Sequence, residues 1–225
     1  MTESIETRLL DAALMHVAFD GWSETTFRAA VDDAGVDPVV ARGLFPRGAV
    51  DLAVAYHKAG DAEMLRRIEA ADLSEMRFRD RVAFAVRARI EDADREAVRR
   101  GTTLFALPIY APDGAKLIWG TADAIWTALG DTSEDYNWYS KRATLSAVYS
   151  STVLFWLGDD SLGAEATWEF LDRRIEDVMR FEKVKAGVQD HPVLGKLMAG
   201  PMALLSGLKA PGVRSDLPGS VGKQG

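Results

Sequence analysis

The chain contains no cysteine. That removes disulfides, thiolate nucleophiles and cysteine metal sites together, and it suits a reducing compartment. Histidine is almost as scarce: His16, His57 and His191 are the whole supply. None lies in an H-E-x-x-H pattern and none follows a glutamate by three residues, so neither the zinc nor the di-iron helical ligand set can be assembled. No G-x-G-x-x-G, Walker A or G-x-S-x-G motif is present, and acidic pairs such as Asp32-Asp33 and Asp159-Asp160 sit where helix ends are expected. The reading is of a protein without catalytic apparatus, metal or cofactor. Long apolar runs are missing too. Val153 to Leu157 falls far short of the ~20 residues that span a bilayer. The opening residues carry Glu3 and Glu6 and no basic segment ahead of an apolar one, unlike a secretory or organelle-targeting leader. They suggest a cytoplasmic protein, peripheral to the inner face of the cytoplasmic membrane.

What is present is a globular composition, 48% hydrophobic and 27% charged over 225 residues, enough for a substantial core. The net charge of -7 opposes contact with nucleic acid or anionic membrane except through a local patch. Helical periodicity runs through nearly every segment, and no alternating strand pattern interrupts it. Helices are expected over about 3–19, 25–34 with Thr25 as its cap, 37–45 opened by Asp37-Pro38, 47–68, 76–100, 115–129, 136–157, 165–184 and 192–208. The fold class is all-α. The chain divides into a trihelical head (1–57), a helical bundle (58–189), an amphipathic C-terminal helix (190–209) and a Gly- and Pro-rich tail (210–225) expected to be disordered.

Residues 8–57 resemble the N-terminal domain of TetR-type regulators, through Ala12-Ala13, Gly21, Thr25-Thr26, Ala34-Gly35-Val36 and Phe45-Pro46. The resemblance implies a helix-turn-helix-like head with 37–45 in the recognition position. Charge opposes the matching activity. Residues 1–57 hold four basic against nine acidic side chains, a net charge of -5, and Arg42 is the recognition segment's one cation. Most DNA affinity comes from neutralising phosphates, so no nucleic-acid partner is expected. A TetR-type regulator with a hydrophobic effector stays as the alternative function.

The segment Asp135-Tyr136-Asn137-Trp138-Tyr139-Ser140-Lys141-Arg142, followed by Ala147 to Thr152 and by Thr167 to Arg174, is similar to the lipid-binding accessory family of ubiquinone biosynthesis. This family is the ninth of the Coq series and has a TetR-like fold. From the residues alone two readings of Trp138 and Tyr139 stand: adjacent aromatics at a helix entry either staple the helix to a neighbour or leave one ring exposed as an interaction hot spot. The resemblance implies the second. Its partner surface, for a di-iron demethoxyubiquinone hydroxylase, maps onto Trp138, Tyr139, Asp123, Ile125, Trp126 and Arg142. It also implies a cavity for an isoprenoid quinone or phospholipid. Candidate lining residues are Leu104, Phe105, Leu107, Ile118, Trp119, Leu145, Tyr149, Thr152, Phe155, Trp156 and Phe170, although the periodicity alone fits a filled core equally well. In the last helix Leu194, Leu197, Met198, Met202, Leu205 and Leu208 share one stripe, opposite a face poor in charge. Membrane surface, dimer partner and core edge each account for such a stripe; the resemblance implies membrane contact and a homodimer. The implied role is to present a quinone intermediate to the hydroxylase.

Overall fold

The structure, a computed structural model, describes residues 4–189 and residue 210. The described residues form nine α-helices and one 3-10 turn, and no strand occurs among them. The all-α expectation is borne out. The proposed C-terminal helix and tail lie outside the described residues, Ala210 apart.

Three short helices form the head, and each boundary has a local cause. Helix α1 (Ile5–Asp20) starts at Ser4, whose hydroxyl accepts from the Thr7 amide, and stops at Gly21 with φ 64. Helix α2 (Glu24–Asp33) is capped by Ser23, not by the Thr25 expected above. The Ser23 hydroxyl reaches the Thr26 amide, while Thr26 itself is buried with its hydroxyl donating to the Gly21 carbonyl at 2.6 Å. Helix α3 (Pro38–Leu44) begins as its Asp-Pro opening dictates, with the Asp37 carboxylate accepting from the Val39 and Val40 amides. Leu9, Ala13, Val17, Phe27 and Ala41 close a core against Leu52 of helix α4 (Ala49–Ala70).

The body is built from α4 with α5 (Phe78–Ile90), α6 (Arg95–Phe105), α7 (Ala111–Ala128), α8 (Tyr136–Leu157) and α9 (Glu165–Gln189). Its core joins Met64, Val86, Ile90, Ile125, Leu145 and Ile175. Each fully buried aliphatic side chain there contributes on the order of 1.5–3 kcal/mol. The single helix expected over 76–100 is two. Asp94 breaks it, since its carboxylate caps the new helix at the Ala97 amide and its own N–H donates to the Tyr56 hydroxyl. Helix α7 starts earlier than expected because Pro112 occupies its first turn, where a missing N–H costs nothing. Trp22 binds the head to the body by donating from Nε1 to the Ala97 carbonyl at 3.0 Å.

Candidate functional site

Two features converge on α7 and α8. The first is an aromatic patch. Asp135 caps α8 through the Asn137 amide, which sets Trp138 and Tyr139 in the first turn. Trp138 meets Tyr139 edge-on at 4.8 Å between ring centroids, and Trp119 of α7 lies 5.9 Å from Trp138 and 6.5 Å from Tyr139. All three rings are half-buried, so each keeps an outward edge.

An ionic network, buried at Arg142 and Asp131 and exposed at Asp123 and Lys141, supports the patch. The Arg142 side chain is 3% exposed, and its guanidinium sits 4.0 Å from the centroid of Trp138. Arg142 Nε donates to Asp123 Oδ1, and Nη1 donates to Asp131 Oδ2 at 3.0 Å and to the Trp138 carbonyl at 3.1 Å. Lys141 and Ser133 share the other Asp131 oxygen, with Lys141 Nζ at 2.7 Å. Burial pushes the Asp131 carboxyl up, but the hydrogen bonds from Lys141, Ser133 and Arg142 outweigh it and hold the group down at about 2. The loop between α7 and α8 is therefore clamped to the first two turns of α8. Ala210 adds a backbone N–H to the Glu134 carbonyl of the same loop.

Not every residue expected at this surface reaches it. Ile125 is 0% exposed and belongs to the body core. At about 100° per residue it falls roughly 200° round the helix from Asp123, which faces the network. Arg142 is likewise buried, and it acts on the surface only through Trp138 and Asp123. Trp126 turns away from the patch: it stacks on Phe78 at 5.5 Å and donates from Nε1 to the Lys141 carbonyl. Together with Leu145 it lines a small cavity of about 200 Å3 between α5, α7, α8 and α9.

The second feature is a larger cavity of about 410 Å3 where the head core meets the body, bounded by Trp22, α4, α5, α6, α7 and α8. Of the expected lipid-lining residues Phe105, Ile118 and Tyr149 reach it. The remainder are elsewhere. Leu104 packs on the head core, Leu107 is exposed, and Trp119 belongs to the aromatic patch. Thr152 is wholly buried with its hydroxyl on the Val148 carbonyl, and Trp156 is core beneath Arg95. Phe155 and Phe170 stack on one another at 4.5 Å, lining neither cavity. The membrane-contact residues Leu194, Leu197, Met198, Met202, Leu205 and Leu208 lie outside the described residues.

Sequence reasoning missed the polar part of the large cavity. His57 and Tyr56 of α4 and Arg89 of α5 line it, with Ser150 and Val153 of α8. The otherwise apolar run Val82 to Ile90 holds two arginines, Arg87 and Arg89, and the buried one, Arg89, needs a buried partner. The partner is Asp61, whose Oδ1 accepts from Arg89 Nε at 2.6 Å and from the Thr121 hydroxyl at 2.9 Å. Thr121 Oγ1 in turn lies 2.8 Å from His57 Nε2. Burial, helped by the nearby Arg89 charge, lowers His57 to about 4, so its ring is neutral at pH 7.

Among the described residues, the third helix of the head offers no free cation. On α3, Val39 is 80% exposed and Val40 and Leu44 also face solvent, while Arg42 is tied to Glu24 and lies 4.3 Å over the Phe27 ring. The helix that would read DNA thus presents aliphatic side chains and a neutralised cation.

Comparison with known proteins agrees with this architecture. Residues 111–182, which contain α7, α8 and most of α9, match the COQ9 family model. The chain is 29% identical over 186 residues to the Drosophila melanogaster ubiquinone biosynthesis protein COQ9, covering 80% of this chain and 57% of that protein. It is 29% identical to the human COQ9 (79% and 58%) and 30% identical to that of Xenopus tropicalis (79% and 58%). The chain therefore spans somewhat under three-fifths of these relatives. A solved TetR transcriptional regulator from Nitrosomonas europaea superimposes with a TM-score of 0.64 at 19% identity, over 77% of this chain and 97% of that one. The resemblance read from the sequence is borne out, and at that identity the regulator shows the fold alone. One expectation is overturned. The Drosophila, Dictyostelium discoideum and human relatives are named as mitochondrial proteins, against the cytoplasmic placement inferred above. That inference rested on a missing cysteine and two early glutamates, neither of which fixes a compartment.

Proposed function

We propose, on the premise that this chain is a relative of the COQ9 proteins with a TetR-like fold, that it serves ubiquinone biosynthesis as a non-catalytic accessory protein. It takes an isoprenoid quinone intermediate or phospholipid into the central cavity and docks the di-iron demethoxyubiquinone hydroxylase on the aromatic patch. The observation that carries this reading is the patch itself. Trp119, Trp138 and Tyr139 are large half-buried rings backed by the buried Arg142–Asp131 pair and the exposed Asp123, with an apolar cavity lined by the same two helices. Rigid aromatics with little rotamer entropy to lose are the side chains that dominate protein interfaces. The cavity supplies what a soluble hydroxylase lacks, a place for the apolar tail while the ring is handed over. Peripheral membrane contact and a homodimer complete the proposal.

The test is turnover of demethoxyubiquinone in vesicles by purified hydroxylase, with and without this chain. Addition should raise the rate in proportion to complex formed, and the Trp138→Ala protein should fail to raise it. An identical rate in all three cases would remove the accessory role.

A further inference from the structure

Helix α8 separates two cavities. Tyr149, Ser150 and Val153 line the larger one, whereas Leu145 and Val148 line the smaller cleft of about 200 Å3 between α5, α7, α8 and α9. The cleft is aliphatic along Val82, Leu145, Val148, Ile175 and Val178, and the stacked Phe78 and Trp126 rings add an aromatic wall. Phe78 at 45% exposure and Met179 at 43% mark its mouth. Large apolar side chains left in water at the rim of an apolar pocket gain free energy when something covers them.

The lining carries one cation whose charge is poorly met. Arg79 has a side chain 32% exposed, and its guanidinium makes no hydrogen bond with any described residue. Asp80 Oδ1 lies 3.4 Å from its Nε and Asp172 Oδ1 lies 4.0 Å from its Nη2. Neither carboxylate is committed to it, since Asp80 accepts from Arg77 Nε at 2.7 Å and Asp172 is 62% exposed. The other cation of the lining, Lys141, is taken up by Asp131 and Ser133 at 2.7 and 2.6 Å. An apolar pocket beside a guanidinium with free donors selects an apolar body joined to an anion. A carboxylate matches the planar guanidinium fork and accepts two parallel hydrogen bonds from it. One guanidinium balances one negative charge, which favours a carboxylate over a doubly charged phosphate. Size then sets the body. A dry cavity of about 150 Å3 holds one benzene ring, so this cleft has room for a chain of about six to eight carbons and excludes a two-chain lipid.

We propose that the cleft between α5, α8 and α9 is a second binding site, separate from the larger cavity, and that it takes a single-chain carboxylate. The alkyl chain lies along Val82, Val148 and Ile175, and the carboxylate pairs with Arg79. Phe78 and Met179 lie against the chain where it leaves the cleft. The inference stands apart from the lipid-carrier reading, since it uses neither the larger cavity nor the aromatic patch.

Calorimetric titration of the full chain at pH 7 tests this with four probes of one chain length: octanoate, octanol, octylammonium and octyl phosphate. Octanoate should bind about fivefold or more tightly than octanol, the worth of one good ion pair at a partly exposed guanidinium, and octylammonium should bind weakest. Arg79→Gln should remove the advantage of octanoate and leave octanol affinity and thermal stability nearly unchanged, since the side chain has no internal hydrogen bond to lose. Val153→Trp, which fills the larger cavity, should bind octanoate as the wild-type protein does. Equal affinity for octanoate and octanol overturns the proposal, as does a preference that survives Arg79→Gln, tighter binding of octyl phosphate, or no binding of octanoate. Loss of octanoate binding in a folded Val153→Trp protein would put the acid in the larger cavity and overturn it as well. The lipid-carrier reading survives each of these results.

Discussion

Arg142→Ala is expected to destabilise the fold by about 3–5 kcal/mol, the cost of removing one member of the buried Arg142–Asp131 pair. The guanidinium serves two carboxylates, the Trp138 carbonyl and the Trp138 ring at once. Its loss leaves Asp131, whose side chain is 2% exposed, with only Lys141 and Ser133. Acid sensitivity follows from the same group. The Asp131 carboxyl is held at about 2 against an ordinary value near 3.8, so its contribution to stability is complete above about pH 4 and is lost as pH falls toward 2. In Arg142→Ala that carboxyl should move back up, and loss of stability should begin at higher pH than in the wild-type protein. Urea unfolding at pH 7, 4 and 2 checks both. A change below about 1 kcal/mol at pH 7 would place the network among ion pairs of little consequence.

Trp138→Ala is expected to do the opposite: little to the fold, much to the partner. The ring is half-buried, and its removal spares every hydrogen bond of the Arg142 network, because that network uses the Trp138 carbonyl and not its side chain. Hydroxylase affinity should drop by about 30-fold or more, equivalent to the 2 kcal/mol or more that defines an interface hot spot. Calorimetry of the two purified proteins in a detergent that keeps the hydroxylase folded measures it. Affinity within twofold of the wild type would move the docking surface off this patch. The two substitutions are neighbours in the fold, yet one should read out in unfolding and the other in binding.

These residues also show how much of the fold is legible in the sequence. Helix α8 was read to its end residues because Asp135 and Gly158 are strong local signals and the periodicity between them is unbroken. The 76–100 segment was misread as one helix because arginines support helix on either side of Asp94. The Asp94 cap on the Ala97 amide is a local mark of the break, and the bond to Tyr56, 38 residues away, fixes it in the fold. Trp138 and Tyr139 could be singled out by their adjacency, but Trp119 was assigned to the cavity since nothing local says which side of α7 meets α8. Ile125 fell to the same ambiguity in reverse. The cavity's polar wall was invisible for a different reason: Arg89, Asp61, Thr121 and His57 come from three helices, and their pairing is a tertiary fact. Where a residue's role depended on its own turn of helix, the sequence was enough; where it depended on the facing helix, it was not.

The central claim is that the cavity holds a lipid, an isoprenoid quinone intermediate or a phospholipid, for a partner enzyme, and organic extraction of the purified full chain followed by mass spectrometry tests it most directly. The account predicts that one of these lipids is recovered in near-stoichiometric amount from the wild-type protein. It should be absent from a folded Val153→Trp variant, whose indole fills the cavity. Recovery of no lipid, or equal recovery from both proteins, would contradict it.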